Sequence, residues 1–384
     1  MIYFIVNNNF HYLRADLLRD EIVTVEPQVD TALIRIFSPA LNRFDRDEDY
    51  EKVYSKHGLF GSFSQLLNLP GQWRIKQSLK RIPFRPGDGL FLFTEYELAN
   101  HYLGQYAKSR GARVYLVDEG IGTYIINNYS RLTAGRSLKQ RLITWVIRYL
   151  NGFYATSRLT GDETLYCPRL ADRYYDGWVL FYNFSLKRDM RQIHVRLPGL
   201  KKNVPHLDPD AVLILGGYNG FYFTLPEYIN LMMSALRAAI KSFKRIYFKF
   251  HQAELKFLEH KEYRDFISLA REAGVELLAL DRPEPVERWF EGQTHPPRFV
   301  VGNITTALLT LFALGCEPIF FCHLIQDRYV DFKILTGFLK SVGYRFISNW
   351  EDIRPSYRSN LTLGKIYSQD ISFGDFYKNI ASGF

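Results

Sequence analysis

Short apolar runs recur along the chain and alternate with segments of helical period. The runs Ile2–Val6, Ala32–Phe37, Gly89–Phe93, Arg113–Val117, Ala211–Leu215, Arg245–Phe250, Val275–Leu280, Arg298–Val301 and Glu317–Phe321 are rich in β-formers. Several carry no polar alternation, which predicts parallel strands covered on both faces. Between them lie amphipathic segments. One follows Thr94, with Glu97 three residues on, and ends at Gly111. Another opens on Thr224-Leu225-Pro226-Glu227, a capping box with an early proline, and places Ile229, Met232, Met233, Leu236, Ile240 and Phe243 on one face. A third runs from about Glu254 to Ala273 and stops at Gly274; a fourth runs from Thr305 to Leu314 and stops at Gly315. Strand–helix–strand repetition predicts right-handed βαβ units in doubly wound sheets. The repetition breaks from about Phe184 to Asp210, which is basic and holds Pro198, Gly199, Pro205 and Pro209, and a linker is expected there. The prediction is α/β, with two doubly wound Rossmann-like domains, 1–195 and 205–384, and a cleft between the carboxyl ends of their strands. The last helix is expected to pack back on the first domain.

Composition narrows the class. The 384 residues are 47% hydrophobic and 23% charged, which excludes global disorder and collagen-like sequence. Three cysteines, Cys167, Cys316 and Cys322, at irregular spacing support neither a disulfide framework nor a zinc site, and a reducing compartment is expected. The opening Met-Ile-Tyr-Phe-Ile-Val reads as a first strand, not a leader, and no apolar run is long enough to span a bilayer. The net charge is +9, and residues 131–202 alone hold 14 Lys/Arg against 5 Asp/Glu. That block implies an anionic partner: nucleic acid, a lipid surface, a nucleotide or an acidic glycan.

Three segments place chemistry at a strand tip, where open α/β sheets put their ligand groups. The first is Val114-Tyr-Leu-Val-Asp118-Glu119-Gly120-Ile-Gly122-Thr123-Tyr124. Paired acids there would repel, and repulsion can lift one pKa towards a general-base role; the plainer reading is a turn acid or helix cap. The second is Lys249-Phe250-His251-Gln252, where a histidine before a helix can hydrogen-bond a phosphate, or simply cap the helix. The third is Gly302-Asn303-Ile304-Thr305-Thr306, which offers hydroxyls and helix N–H groups to an anion, or an N-cap through Thr305. A weaker fourth, Gly216-Gly217-Tyr218-Asn219-Gly220, could admit a nucleotide close to the backbone, though it has neither GxGxxG spacing nor a P-loop lysine.

Taken together these motifs resemble those of bacterial sialyltransferases and polysialyltransferases of the capsule and lipopolysaccharide type. That family carries Asp/Glu-Asp/Glu-Gly in its first domain, then His-Pro after a strand in its second, then a Ser/Thr pair. Asp118-Glu119-Gly120, extended by Gly122, His251-Gln252 and Thr305-Thr306 stand in that order. Gln252 replaces the proline. A literal His295-Pro296 precedes a strand and so belongs at the opposite end from the cleft. The resemblance implies a GT-B-like fold, an acceptor-binding first domain and a second domain that binds a CMP-sugar. It implies an inverting transfer of sialic acid, or a related nonulosonic acid, to a bacterial capsule, O-antigen or lipooligosaccharide glycan. Glu119 would deprotonate the acceptor, and His251 would stabilise the departing CMP phosphate. Thr305, Thr306, Lys249, Gly216 and Gly217 would bind the donor, with Asp118, Gly120 and Gly122 in support. No cofactor or metal is expected, because a CMP-sugar carries one phosphate.

Rival readings use other donors, such as CMP-Kdo or a UDP-sugar, or make the chain a non-catalytic glycan- or nucleic-acid-binding module. An acid pair at a strand tip repels anionic ligands, and no nucleic-acid signature is present, so nucleic acid is not an expected partner. Asp45-Arg-Asp47-Glu-Asp49 lacks an EF-hand's glycine and terminal glutamate and reads as a solvated loop. A basic amphipathic segment, Gly135 to Leu150 with Trp145 and Arg148, could dock on anionic lipid near a lipid-linked acceptor, or pack on its own domain. The expected location is the cytoplasm, including the inner face of the bacterial cytoplasmic membrane.

Overall fold

The computed structural model describes residues 1–36, 52–55, 69–94, 98–120, 124, 172–184, 189–198, 206–218, 223–251, 254–278, 285–303, 305–328 and 330–381. The chain divides into two compact units: Met1–Gly199 with Tyr367–Phe384, and Leu200–Ile366. The Asp45–Asp49 loop, Gly122, Cys167 and the Gly135–Leu150 segment lie outside the described residues.

The first unit is built on seven parallel strands, β1 (Ile2–Val6), β2 (Thr31–Ile36), β3 (Lys52–Ser55), β4 (Gly89–Leu92), β5 (Arg113–Val117), β6 (Gly177–Leu180) and β7 (Gln192–His194), in the order β3-β2-β1-β4-β5-β6-β7. All of β1 and β4 is buried, as continuous apolar strands between two helical layers must be. Helices α1 (Asn9–Val25), α2 (Leu69–Leu79) and α3 (Leu98–Ser109) accompany them. Asn8 starts α1 by accepting the His11 N–H at 2.8 Å. After α3, Gly111 takes a φ of +82° and sends the chain into β5. The chain runs outward from β1 to β3, then returns to build β4 to β7 on the other side. The switch point therefore lies between β1 and β4, where ligand crevices form at the carboxyl edge.

The second unit holds five parallel strands, β8 (Asp208–Leu215), β9 (Arg245–Lys249), β10 (Glu276–Leu278), β11 (Pro297–Gly302) and β12 (Glu317–Phe320), in the order β10-β9-β8-β11-β12. Its switch point lies between β8 and β11. Helices α4 (Leu225–Ser242), α5 (Lys261–Glu272), α6 (Val286–Glu291), α7 (Thr306–Ala313), α8 (Val330–Ser341) and α9 (Leu363–Ile366) follow in turn. The capping box of α4 is formed: Thr224 accepts from Glu227 N–H, and Glu227 accepts from Thr224 N–H at 3.0 Å. Met232 and Leu236 on its buried face each contribute about 1.5–3 kcal/mol by leaving water. The last helix, α10 (Phe373–Ala381), joins the first unit, where Phe373 and Gly374 donate to Glu21 on α1 at 2.8 and 3.4 Å. Burial raises the Glu21 pKa, and those two backbone donors partly offset it.

Three expectations are corrected. The segment read as a linker from Phe184 holds β7, and Val195 bridges Ile371 beyond it. Strands β3, β6 and β7 go beyond the predicted set, being three or four residues long. The helix expected from Glu254 to Ala273 is a 3₁₀ turn, Leu255–Phe257, followed by α5, because the Glu254 side chain turns back to bond the strand tip before it.

Candidate active site

In the first unit, three neighbouring strands, β1, β4 and β5, end in polar residues. Asp118 follows β5, and its N–H bonds Val179 of β6 at 2.9 Å. Its side chain is 1% exposed and accepts Gly120 N–H at 2.6 Å, the Tyr124 hydroxyl at 2.6 Å and Phe181 N–H at 3.4 Å. Gly120 sits at φ +120°, a conformation that disfavours any side chain, so the Asp118–Gly120 turn depends on glycine. Burial pushes the Asp118 pKa up to about 7; the bonds from Tyr124, Gly120 and Phe181 and the Arg14 guanidinium pull against it. The raised acid is thus Asp118, and desolvation is its cause, not repulsion between the paired acids.

Glu119 faces the other way. Its side chain is 27% exposed, and Oε2 lies 3.2 Å from His11 Nε2. His11, in the first turn of α1, is 2% exposed and stacks on Phe93 with ring centroids 5.2 Å apart. Its Nδ1 accepts Asn7 N–H at 3.4 Å, and its Nε2 faces the Glu119 carboxylate, to which it donates in the tautomer that carries the proton there. Asn8 Nδ2 lies 3.1 Å from the same nitrogen. Behind the ring, Asn7 and Asn100 exchange amide hydrogen bonds at 2.9 and 3.3 Å, and Asn100 also donates to Thr94 O. The β1 and β4 tips are tied together at the switch point, and a solvent-open carboxylate stands beside them. His11 was not among the residues the sequence singled out; its one signal is its place just beyond the tip of the first strand.

The second unit repeats the arrangement on β9, β8 and β11. Gly216 N–H bonds Lys249 O at 2.8 Å and Gly217 N–H bonds the Tyr228 hydroxyl at 2.9 Å. A Cβ at Gly216 would collide with the Glu254 carboxylate, and one at Gly217 would stand 3.0 Å from Asn303 Oδ1. His251 leaves β9 with its residue exposed; its pKa is lowered by the protein around it and then by the Lys249 ammonium. Because the residue is open to solvent, the nearby charge is the firmer of the two causes. At the β11 tip, Thr305 occupies the N-cap of α7 in extended conformation (φ −145°, ψ 134°) with no capping bond from its side chain. The N-cap function read for its hydroxyl is therefore absent. Gly216, Gly217, Lys249, His251, Thr305 and Thr306 all lie at the carboxyl edge of one sheet. His295 and Pro296 lie before the amino end of β11, away from that edge.

Among the described residues no group of three or more His, Cys, Asp or Glu side chains is placed to hold a metal ion. Among them, too, no helix is long and apolar enough to cross a membrane.

The fold is shared with solved α/β proteins. UDP-GlcNAc 2-epimerase from Methanocaldococcus jannaschii, solved in complex with UDP-GlcNAc and UDP, matches over 100% of both chains at 11% identity, with a TM-score of 0.56. The GT-B domain of a sialyltransferase from Photobacterium damselae matches 80% of this chain and 87% of its own at 10% identity, with a TM-score of 0.42. Two doubly wound parallel-sheet α/β units give the chain a GT-B-like fold. The family profile of alpha-2,8-polysialyltransferase (POLYST) matches residues 73–315, well over half of the chain, and the protein belongs to that family. It is accordingly a glycosyltransferase of a sialyl-transferring family. No curated protein matches the sequence.

Proposed function

We propose that the protein moves sialic acid, or a related nonulosonic acid, from a CMP-activated donor to a hydroxyl of a bacterial surface glycan, with inversion. The observation that carries this reading is the Glu119 carboxylate, open to solvent and held against His11, within the span that matches the family. A sialyl carbon has no neighbouring hydroxyl and reacts through an oxocarbenium-like transition state. The chemistry then asks for one base on the acceptor and stabilisation of a departing phosphate.

Glu119 takes the acceptor proton, and His11 fixes the carboxylate by donating to Oε2. Asp118 spends its oxygens on the turn that presents Glu119. His251 and Lys249 offset charge on the departing CMP phosphate. Gly216 and Gly217 let it approach the backbone, and Thr305, Thr306 and the first N–H groups of α7 complete its ligands. One phosphate needs less counter-charge than two, so we infer turnover without a metal or cofactor. The acceptor can be lipid-linked, and the reaction then runs at the cytoplasmic face of the membrane. The test is incubation with CMP-sialic acid and an array of bacterial glycans, with and without EDTA, read by mass spectrometry. Sialylated product in both arms supports the reading. Product from a UDP-sugar and none from CMP-sialic acid overturns the donor assignment.

A further inference from the structure

Glu254 is 0% exposed, and no packing argument explains a carboxylate there. Taking a charge out of water is costly unless hydrogen bonds replace the solvent. Here the bonds come from two different strand tips. Oε2 accepts the His251 N–H at 2.5 Å, beyond β9, and Oε1 accepts the Tyr218 N–H at 3.3 Å, beyond β8. The Tyr228 hydroxyl from α4 also bonds Glu254, and the same hydroxyl accepts the Gly217 N–H. Glu254 N–H returns to His251 O at 2.8 Å. One buried side chain thus gathers the backbone of Gly217, Tyr218 and His251. The carboxylate fills the space where a Gly216 side chain would stand, so Glu254 holds this place only because residue 216 is glycine.

We propose that Glu254 is a positioning residue for the donor: its two oxygens hold the Gly216–Tyr218 turn and His251 in the one arrangement that receives the phosphate. This rests on the reading that the carboxyl edge of this sheet takes the CMP phosphate. A strut that merely stabilised the unit would change melting and leave nucleotide affinity alone. A positioning residue changes the donor parameters in a protein that is still folded. Glu254→Gln keeps the volume but turns one oxygen into an N–H donor facing a backbone N–H. Tyr228→Phe removes the hydroxyl between Glu254 and Gly217.

The experiment measures CMP affinity by calorimetry and amide hydrogen exchange on wild type, Glu254→Gln, Tyr228→Phe and the double variant, with circular dichroism as the check of folding. For Glu254→Gln the expected result is CMP affinity lower by about tenfold, the size of one lost bond to a charged group. Amides of Gly217, Tyr218 and His251 should exchange faster, donor KM should rise, and acceptor KM should stay unchanged. The two substitutions should be less than additive, because they cut one network. A folded Glu254→Gln or Tyr228→Phe protein with wild-type CMP affinity and amide protection overturns the positioning role alone. Wild-type protein that binds no CMP overturns the donor reading, and this proposal with it.

Discussion

His11 Nε2 stands 3.2 Å from Glu119 Oε2, although 108 positions separate the two residues in the chain. The sheet order brings them together, since β4 alone lies between β1 and β5. A histidine that orients a base acts on the chemical step and leaves the donor nucleotide alone. We expect His11→Ala to lower kcat by about 10²-fold, the cost of a misplaced catalytic group, with CMP affinity unchanged by calorimetry. Loss of CMP binding with kcat preserved would contradict the pairing.

Asp118 makes stability depend on pH. Burial holds its folded pKa at about 7, above the ordinary aspartate value of 3.8. The folded state therefore binds the proton more tightly than the unfolded state. The stabilisation is complete below about pH 4 and is lost as pH rises towards 7. Asp118→Asn has no such proton. In urea melts from pH 4 to 8, the stability of wild type minus that of the variant should fall with pH, by at most about 4 kcal/mol, and level off above 7. Glu254, also raised to about 7 by burial, is common to both proteins and cancels. A difference that stays flat across this range refutes the assignment.

His251 is assigned to the donor side. His251→Ala should weaken CMP binding by about tenfold, the value of a bond to a charged group, and slow turnover as well. Calorimetry and initial rates check both. Unchanged CMP affinity removes His251 from the phosphate site.

The capping box of α4 is a test of local stability. Thr224→Ala removes the side-chain acceptor at the helix N-terminus and should cost about 1 kcal/mol in urea unfolding. A change below a few tenths of that would show that the first turn is held by packing alone.

Much of this fold was legible in the order of residues, and the reasons are physical. Continuous apolar runs such as Ile2–Val6 have one stable use, a strand buried on both faces, and their bounds in the structure match within a few residues. Gly111, Gly274 and Gly315 take positive φ where helices stop, so their places in the pattern carried meaning. Strands β3 and β7 were hidden because edge strands are short and half polar, and β6 because it opens on Gly177. The placement of Glu119, His251 and Thr305 at strand tips follows from topology alone. The roles of His11 and Glu254 do not, since one depends on a partner 108 positions away and the other on burial beneath a glycine loop.

The central claim concerns which carboxylate takes the acceptor proton, and one substitution isolates it. Glu119→Gln preserves the shape of the side chain and removes the base. Assayed with CMP-sialic acid and a glycan acceptor by mass spectrometry, and with CMP by calorimetry, it should bind CMP as wild type does and form almost no product. Wild-type-like turnover by that variant would contradict the account.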